Sequence, residues 1–313
     1  MFSVGDIYKR IKPFKANIAS HPQKLYFAKV DVQSAFDTIP QAAIVGLLDS
    51  IPQSRQYRLS KYLEVAPSVL SQPSHNKVKA GPKLMRRWPL AATRKRDTPS
   101  FLGLLESGGR AANRRNTVFV DSFGSKRDYE TGELLRLIAS HIQQNLVKIG
   151  KKFYRQRRGI PQGSVLSSTL CNYFYADLEA HVLVPFLGPP AAAQDEEERE
   201  GGQGDYLLLR LIDDFLLVTT DVRKASRFVV TMHHGVPEYG VAVNPRKTLV
   251  NFELAVDGQP VPRIAPGEDF PYCGTKINCE TLDITRARDK GKRDSSKPYL
   301  GTAAELCARL GGT

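Results

Sequence analysis

The reading of this chain turns on Leu208-Leu-Arg-Leu-Ile-Asp213-Asp214-Phe-Leu-Leu-Val-Thr219. Two adjacent carboxylates stand between two apolar runs. Each run is long enough for a strand, and the acids fall where a hairpin would reverse. Like charges at that separation repel unless something neutralises them, and a divalent cation is the usual neutraliser. The alternative is a solvated Asp-Asp turn, because Asp is common in turns. Taken alone, the stretch leaves both open.

Far upstream, Leu25-Tyr-Phe-Ala-Lys-Val-Asp31-Val32 reads as a buried strand. Asp31 lies at its C-terminal end, where ligands and metals collect in α/β sheets. If the two strands are central and neighbouring, three carboxylates converge. Such a set could hold two Mg²⁺ ions roughly 3.5–4 Å apart, the arrangement for in-line phosphoryl transfer. Magnesium prefers a few carboxylates plus substrate phosphates over an all-protein cage, which suits so few acids in a basic chain.

Bulk properties agree. The 313 residues suggest about two domains, and 41% hydrophobic residues suit a folded protein. The formal net charge of +13 points to a polyanionic partner. No apolar run approaches the ~20 residues of a spanning helix, and no signal-peptide core opens the chain. Nucleic acid is therefore favoured over a membrane. Cys171, Cys273, Cys279 and Cys307 have no CxxC spacing, which argues against a disulfide framework or a zinc site and suits a reducing compartment.

Taken in order, the chain starts abruptly, as a segment of something longer would. Ile7, Ile11 and Phe14 could share one face of a short helix around Pro13. After Asp31, Ile44, Leu47, Leu48 and Ile51 repeat at helical spacing. Asp37 or Thr38 is expected to cap that helix, with Pro40 in its first turn. Periodicity then fades over 60–130. Lys77, Lys79, Lys83, Arg86, Arg87, Arg94, Lys95 and Arg96 crowd together around Trp88 with no acid among them. This cluster is either a solvated, partly disordered loop or a surface that tracks a nucleic-acid backbone; an import signal is a further reading. Val118-Phe-Val120 suggests a short strand closing this region.

Leu134, Leu135, Ile138, Ile142 and Leu146 predict an amphipathic helix over Thr131–Ile149, stopped by Gly150. Basic residues lead into Gly159-Ile-Pro-Gln-Gly163-Ser164, a turn that lets backbone approach a ligand. A long helix is expected from Ser164, with Val165, Leu166, Leu170, Tyr173, Phe174 and Leu178 packing. Residues 188–204 read as a linker with a solvated acidic run. Val222–His234 reads as a helix whose His233 and His234 are solvated at its end. Val241–Phe252 reads as strand, turn, strand. Asp257-Gly258 is a hairpin turn, and Phe270–Asn278 with Thr281–Thr285 suggests another hairpin around Cys279-Glu280. The basic tail, 286–297, is expected to be loose, with a helix beginning within Ala303–Leu310.

Five segments in order then carry a resemblance. Lys29-Val-Asp-Val-Gln-Ser-Ala-Phe-Asp-Thr-Ile-Pro-Gln41 resembles polymerase motif A. Gly159-Ile-Pro-Gln-Gly-Ser-Val-Leu-Ser167 resembles motif B. Leu211-Ile-Asp-Asp-Phe-Leu-Leu-Val218 resembles motif C, with Phe after the acids instead of the aromatic-x-Asp-Asp box of most retroelement enzymes. Val243-Asn-Pro-Arg-Lys-Thr-Leu-Val-Asn-Phe252 resembles motif D, and Tyr272-Cys-Gly274 a primer grip. Together, over about residues 5–285, they resemble the reverse-transcriptase domain of telomerase catalytic subunits. The stretch between A and B resembles that family's insertion in the fingers.

The resemblance implies a right-hand polymerase palm of α/β (α+β) class, an antiparallel sheet backed by helices, including those at 40–50, 165–183 and 222–234. Residues 1–59 and 131–275 would form the palm, 60–130 the insertion, and 276–313 the start of a thumb. Asp31, Asp213 and Asp214 would be ligands of two Mg²⁺ ions. Val32, Phe36, Gln162 and Gly163 would line the nucleotide pocket, with Phe36 under the sugar to exclude a 2′-hydroxyl. Phe36 read alone would be a core aromatic. Lys247 would approach the triphosphate as a general acid; read alone it is a solvated turn lysine. Tyr272, Cys273 and Gly274 would position the primer end, the family more often having Trp at the first. Fingers, RNA-binding and most thumb regions are expected outside this chain. The implied activity is RNA-directed DNA synthesis at chromosome 3′ ends, in the nucleus at telomeres, with telomerase RNA, single-stranded telomeric DNA and dNTPs as partners. A nucleic-acid-binding fragment without catalysis and a retrotransposon polymerase are the alternatives.

Overall fold

In the computed structural model, residues 4–18, 24–67, 84–97, 99–107, 117–188 and 205–286 are described. Lys77, Lys79 and Lys83, nearly all of the 188–204 linker, most of the basic tail, Cys307 and the expected helix within Ala303–Leu310 lie outside them. Contacts divide the chain into two compact units, one of Met1–Leu47 with His141–Thr313, the other of Leu48–Ser140. The second unit is wider than the 60–130 insertion expected from composition.

The first unit is built on a four-stranded sheet. Its strands are β1 (Tyr26–Asp31), β8 (Tyr206–Leu211), β9 (Asp214–Thr219) and β10 (Leu249–Val250), in the order β10-β1-β9-β8. Each neighbouring pair is antiparallel. Both faces are covered, so the central strands read as continuous apolar runs instead of alternating ones. On one face, Leu216 and Val218 of β9, Phe27 of β1 and Leu207 and Leu209 of β8 join a buried cluster with Ile7, Ile11 and Phe14. Those three residues repeat at helical spacing and lie on α1 (Val4–Ile18). On the other face, Phe215 meets Tyr175 edge-on, their ring centroids 5.9 Å apart. Tyr175 belongs to α6 (Ser167–Leu178). The second backing helix is α8 (Val222–His234), with Ala225, Phe228, Val229 and Met232 buried. The side chain of Asp221 starts it by accepting from the Arg223 amide at 2.8 Å.

Several local expectations change. Between β1 and α3 (Gln41–Ser50) lies a one-turn helix, α2 (Ala35–Thr38). Asp37 and Thr38 therefore belong to α2 and do not cap α3; the Pro40 carbonyl accepts the Ile44 amide at 3.1 Å. Helix α5 (Thr131–Gln143) stops well before Ile149. Leu146–Ile149 is a strand, β6, paired with β7 (Lys152–Arg155). Leu146 continues the helical spacing by coincidence, and Gly150, at φ +60°, turns a hairpin. Helix α6 begins at Ser167, not Ser164. The Ser164 hydroxyl accepts the Leu166 amide at 3.2 Å, and Val165, expected to pack, is 95% exposed. Glu179–Leu183 is a π-helical turn leading into α7 (Val184–Leu187).

Beyond α8, Val241 and Val243 make only isolated bridges, to Val236 and Val32. Asn244 and Pro245 interrupt the ladder, and regular pairing resumes at β10. Asp257-Gly258 turns the short hairpin β11 (Ala255–Val256) and β12 (Gln259–Pro260). The last sheet, β13 (Phe270–Tyr272), β14 (Thr275–Ile277) and β15 (Ile284–Arg286), has its first reversal at Cys273-Gly274. The one hairpin expected around Cys279-Glu280 is therefore two. Both turn residues have positive φ, +45° and +74°, the type I′ preference of two-residue hairpins.

The second unit differs most from expectation. Its apparently irregular sequence is a sheet centred on the twelve-residue β2 (Gln56–Pro67). Along one edge runs β5 (Val118–Glu130), of which Val118-Phe-Val120 is only the start. Along the other run β3 (Leu84–Arg87) and β4 (Leu90–Arg94). The pattern is obscured because the covered face buries Ser60, Tyr62 and Glu64, while apolar residues occupy the opposite face. Tyr62 packs between Phe101 of α4 (Phe101–Ser107) and Phe119, with centroids at 5.9 and 6.3 Å.

Candidate active site

Register brings the acids together. Asp31, the last residue of β1, lies opposite Asp214, the first of β9. Asp213 occupies the turn just before, and its carbonyl accepts the Val32 amide at 3.2 Å. Lys247 reaches the same place: its Nζ donates to Asp31 Oδ2 at 2.9 Å. The turn that carries it is tied to the sheet end, since the Asn244 amide donates to the Asp31 carbonyl at 3.3 Å. Asn244 Oδ1 also accepts the Arg246 amide at 3.1 Å, an Asx turn that shapes the bend.

The Tyr272-Cys273-Gly274 hairpin closes the cluster. Tyr272 Oη donates to the Asp214 carbonyl at 3.0 Å, and Cys273 Sγ to Asp214 Oδ2 at 3.7 Å. Burial pushes the carboxyls of Asp213 and Asp214 up from their ordinary range. The charge of Asp31 adds to both, and that of Asp214 adds to Asp213, while Lys247 opposes. Donation to Asp31 in turn holds the Lys247 ammonium above its ordinary value. The cluster is thus negative, half-buried and short of cations. Hard oxygen donors in that state fit a divalent metal in kind. Among the described residues, however, no three His, Cys, Asp or Glu side chains already stand in ligand positions around one point. One Asp31 oxygen is engaged by Lys247, which supplies the counter-charge in this arrangement.

The remaining candidates lie on the segment following β1 and on the glycine turn. Gly159, at φ +71°, sits against motif A so closely that a Cβ there would meet the Phe36 carbonyl at 2.2 Å. The Ile160 amide donates to that carbonyl at 2.7 Å. Gln162 Nε2 donates to Asp37 Oδ1 at 3.1 Å, linking the two segments by side chains as well. Gln162 and Gly163 are exposed and Phe36 is half-buried. The Val32 side chain is buried, which leaves only its backbone to face a ligand.

Three supporting residues had no assigned role in the sequence reading. Gln41 Nε2 donates to the Gly159 and Ile142 carbonyls, at 2.9 and 3.2 Å. Nothing in the local sequence signals this, because the partners are distant. Arg210 was signalled, as a lone cation inside an apolar strand. Its buried guanidinium pairs with Glu179 and donates to Asn172 Oδ1 at 2.8 Å and to the Ile212 carbonyl at 3.2 Å. Ile212 has φ +61°, a left-handed conformation uncommon for a β-branched residue. Arg210 thus braces the strained residue that aims Asp213. His233, expected to be solvated, is half-buried against Thr248 Oγ1 at 2.9 Å, and burial pushes its imidazole down.

No protein-family model matches the chain. Telomerase reverse transcriptase of Rattus norvegicus is 32% identical over 294 residues, which are 91% of this chain and 24% of that protein. The Bos taurus protein of the same name is 32% identical over 295 residues, 93% of this chain and 24% of that one. For Oryza sativa subsp. japonica the identity is 29% over 292 residues, 91% and 22%. Among solved structures, telomerase from Candida tropicalis, in complex with the TWJ fragment of telomeric RNA, aligns with a TM-score of 0.55 at 18% identity. It covers 99% of this chain and 36% of that one. This likeness is one of fold, and it agrees with the antiparallel polymerase palm. Over the roughly one quarter of their length that it spans, the chain is homologous to the telomerase reverse transcriptases.

Proposed function

We propose that the chain is the palm, with a fingers-type insertion, of an RNA-directed DNA polymerase that extends chromosome 3′ ends on a telomerase RNA template. The observation that carries this is the register of Asp31 against Asp214, with Asp213 in the adjoining turn. Residues 1–59 and 131–275 supply the palm and 60–130 the insertion, while 276–313 begin a thumb. Fingers and RNA-binding regions belong to the longer protein. Telomerase RNA, single-stranded telomeric DNA and dNTPs are the partners, and the nucleus, at telomeres, is the place of action.

Asp31, Asp213 and Asp214 would hold two Mg²⁺ ions. Magnesium bound there would lower the pKa of a primer hydroxyl and neutralise charge on the departing pyrophosphate. Lys247, kept charged by Asp31, is the ammonium available to the triphosphate and the candidate proton donor to pyrophosphate. Phe36 and the Val32 backbone would line the nucleotide pocket beside Gln162 and Gly163, with Phe36 crowding a 2′-hydroxyl. The Tyr272-Cys273-Gly274 turn, bonded to Asp214, would hold the primer end beside the acids.

Primer extension by the full-length protein with its RNA tests this reading. Asp213→Ala is expected to lower the rate by about a hundredfold or more; full activity would overturn it. One observation favours a second reading, a binding module without catalysis: the acids are not arrayed as a ligand set and Asp31 is held by Lys247. Salt-dependent nucleic-acid binding without Mg²⁺-dependent synthesis by the parent protein would support that alternative.

A further inference from the structure

The glycine turn is held unequally at its two ends. At the near end, Gly159 and Ile160 are buried, and the Ile160 amide donates to the Phe36 carbonyl at 2.7 Å. At the far end packing does little. Gln162 and Gly163 are exposed, and Val165 is 95% exposed. Gly163 has φ +79°, and a Cβ there would meet nothing within 4 Å. A segment without packed neighbours owes its order to hydrogen bonds.

Ser164 is the junction of those bonds. Its Oγ accepts the Leu166 amide at 3.2 Å, and its carbonyl accepts the Ser167 amide at 3.2 Å, which leads the chain into α6. The same Oγ lies 2.9 Å from His141 Nε2. Both residues are half-buried. A hydroxyl that already accepts one amide can still give its proton to a neutral imidazole, or accept from a ring N–H. The link therefore survives either tautomer of the ring.

His141 stands on a platform fixed to the same turn. It lies in the last turn of α5, and it belongs with Ser164 to the first unit. Its neighbour Ile142 is fully buried, and the Ile142 carbonyl is bonded by Gln41, which also holds the Gly159 carbonyl. Asn145 Nδ2 donates to Gln156 Oε1 at 2.8 Å. Gln156 Nε2 donates to the Arg158 and Ile160 carbonyls at 2.8 and 3.3 Å. The end of α5 thus grips the near end of the turn through amide side chains and the far end through His141. A histidine near a helix C-terminus has a simpler use, contact with the helix dipole. That use calls for no serine partner and has no consequence for a nucleotide.

We propose that His141 is a positioning residue for nucleotide binding: by holding Ser164 it sets the backbone of Gln162 and Gly163 at the wall of the nucleotide pocket. This role rests on the polymerase reading, which makes those two residues part of that pocket.

The test is primer extension by the full-length protein with its RNA at varied dNTP concentration, with thermal midpoints read alongside. His141→Phe keeps a ring and removes the bond, and Ser164→Ala removes it from the other side. His141→Gln places an amide near the position of Nε2. Loss of one hydrogen bond should raise KM for dNTP roughly three- to tenfold in His141→Phe and in Ser164→Ala. Their kcat should stay within about twofold of the parent, since the acids lie on other elements. The double variant should be no worse than either single one, and His141→Gln should recover most of the parent KM. An unchanged KM in both single variants would overturn the proposal. So would a fall in kcat at constant KM, a rise in KM confined to variants with a lowered midpoint, or a His141→Gln variant as impaired as His141→Phe. Asp213→Ala separates the two readings. If it abolishes synthesis while His141→Phe leaves KM unmoved, the positioning role alone fails; if it stays fully active, the polymerase reading fails first.

Discussion

The β10-β1-β9-β8 sheet is buried on both faces and gathers its charges at one end, where Asp31, Asp213, Asp214 and Lys247 meet. Among the described residues, the sheet built on β2 is covered on one face only and spreads its cations across the other. In the first, apolar layers on both sides hold a few charged groups in one place, at the cost of raised carboxyls and a strained Ile212. In the second, the cations of the open face stand apart along its strands. The contrast is between charges concentrated at one buried sheet end and charges spread along an exposed face.

The sharpest way to break the contrast is at the acids, where Asp213→Ala should cost the full-length enzyme about a hundredfold or more in primer extension while leaving the fold intact. Gly159→Ala comes next. The added Cβ would strike the Phe36 carbonyl, and φ +71° is unfavourable for alanine. We expect a loss of roughly 3 kcal/mol or more in stability, read by urea denaturation. Arg210→Met removes the brace and leaves Glu179 without its buried partner. Discounted for the partial exposure of Glu179, the expected loss is roughly 2–4 kcal/mol, with a larger fall in kcat than in denaturation midpoint would suggest.

The raised acids also make a pH prediction. A carboxyl whose folded pKa lies above its unfolded value gains protons on folding. Stability therefore falls as pH rises from the ordinary carboxylate range through the folded pKa. Asp213→Asn should thus be more stable than the parent at pH 7 and no different near pH 3, in denaturant melts with chelator present. Added magnesium should raise the parent's midpoint at pH 7 and leave that of Asp213→Asn nearly unmoved. The smallest effect belongs to the open face of the second sheet, set against its covered face. Tyr62→Ala, on the covered face, should destabilise by roughly 3 kcal/mol. Leu90→Ser, on the open one, should shift stability by no more than about 0.5 kcal/mol. Equal effects would erase the distinction between the faces.

Much of the first sheet could be read from the chain. Leu208–Thr219 and Leu25–Val32 are long apolar runs ending in acids, and α1 and α8 show clean helical spacing. The second sheet could not be read. It inverts the usual pattern by burying Ser60, Tyr62 and Glu64 and exposing leucines and valines, so alternation was present but pointed the wrong way. Boundaries suffered where one residue fits two periods, as Leu146 does, or where a side-chain bond starts a turn before a helix, as at Ser164.

By itself the sequence determined which residues could do chemistry: the paired acids, the lone Asp31, the lysine in a proline turn and the glycine-rich segment. Those are properties of side-chain type and local spacing. Tertiary structure alone decided that Asp31 faces Asp214, that Lys247 reaches Asp31, and that Arg210 and Gln41 hold the turns in place. Each of these depends on which strands pair and in what register. A one-residue slip would turn every side chain to the opposite face, and no local pattern records that choice.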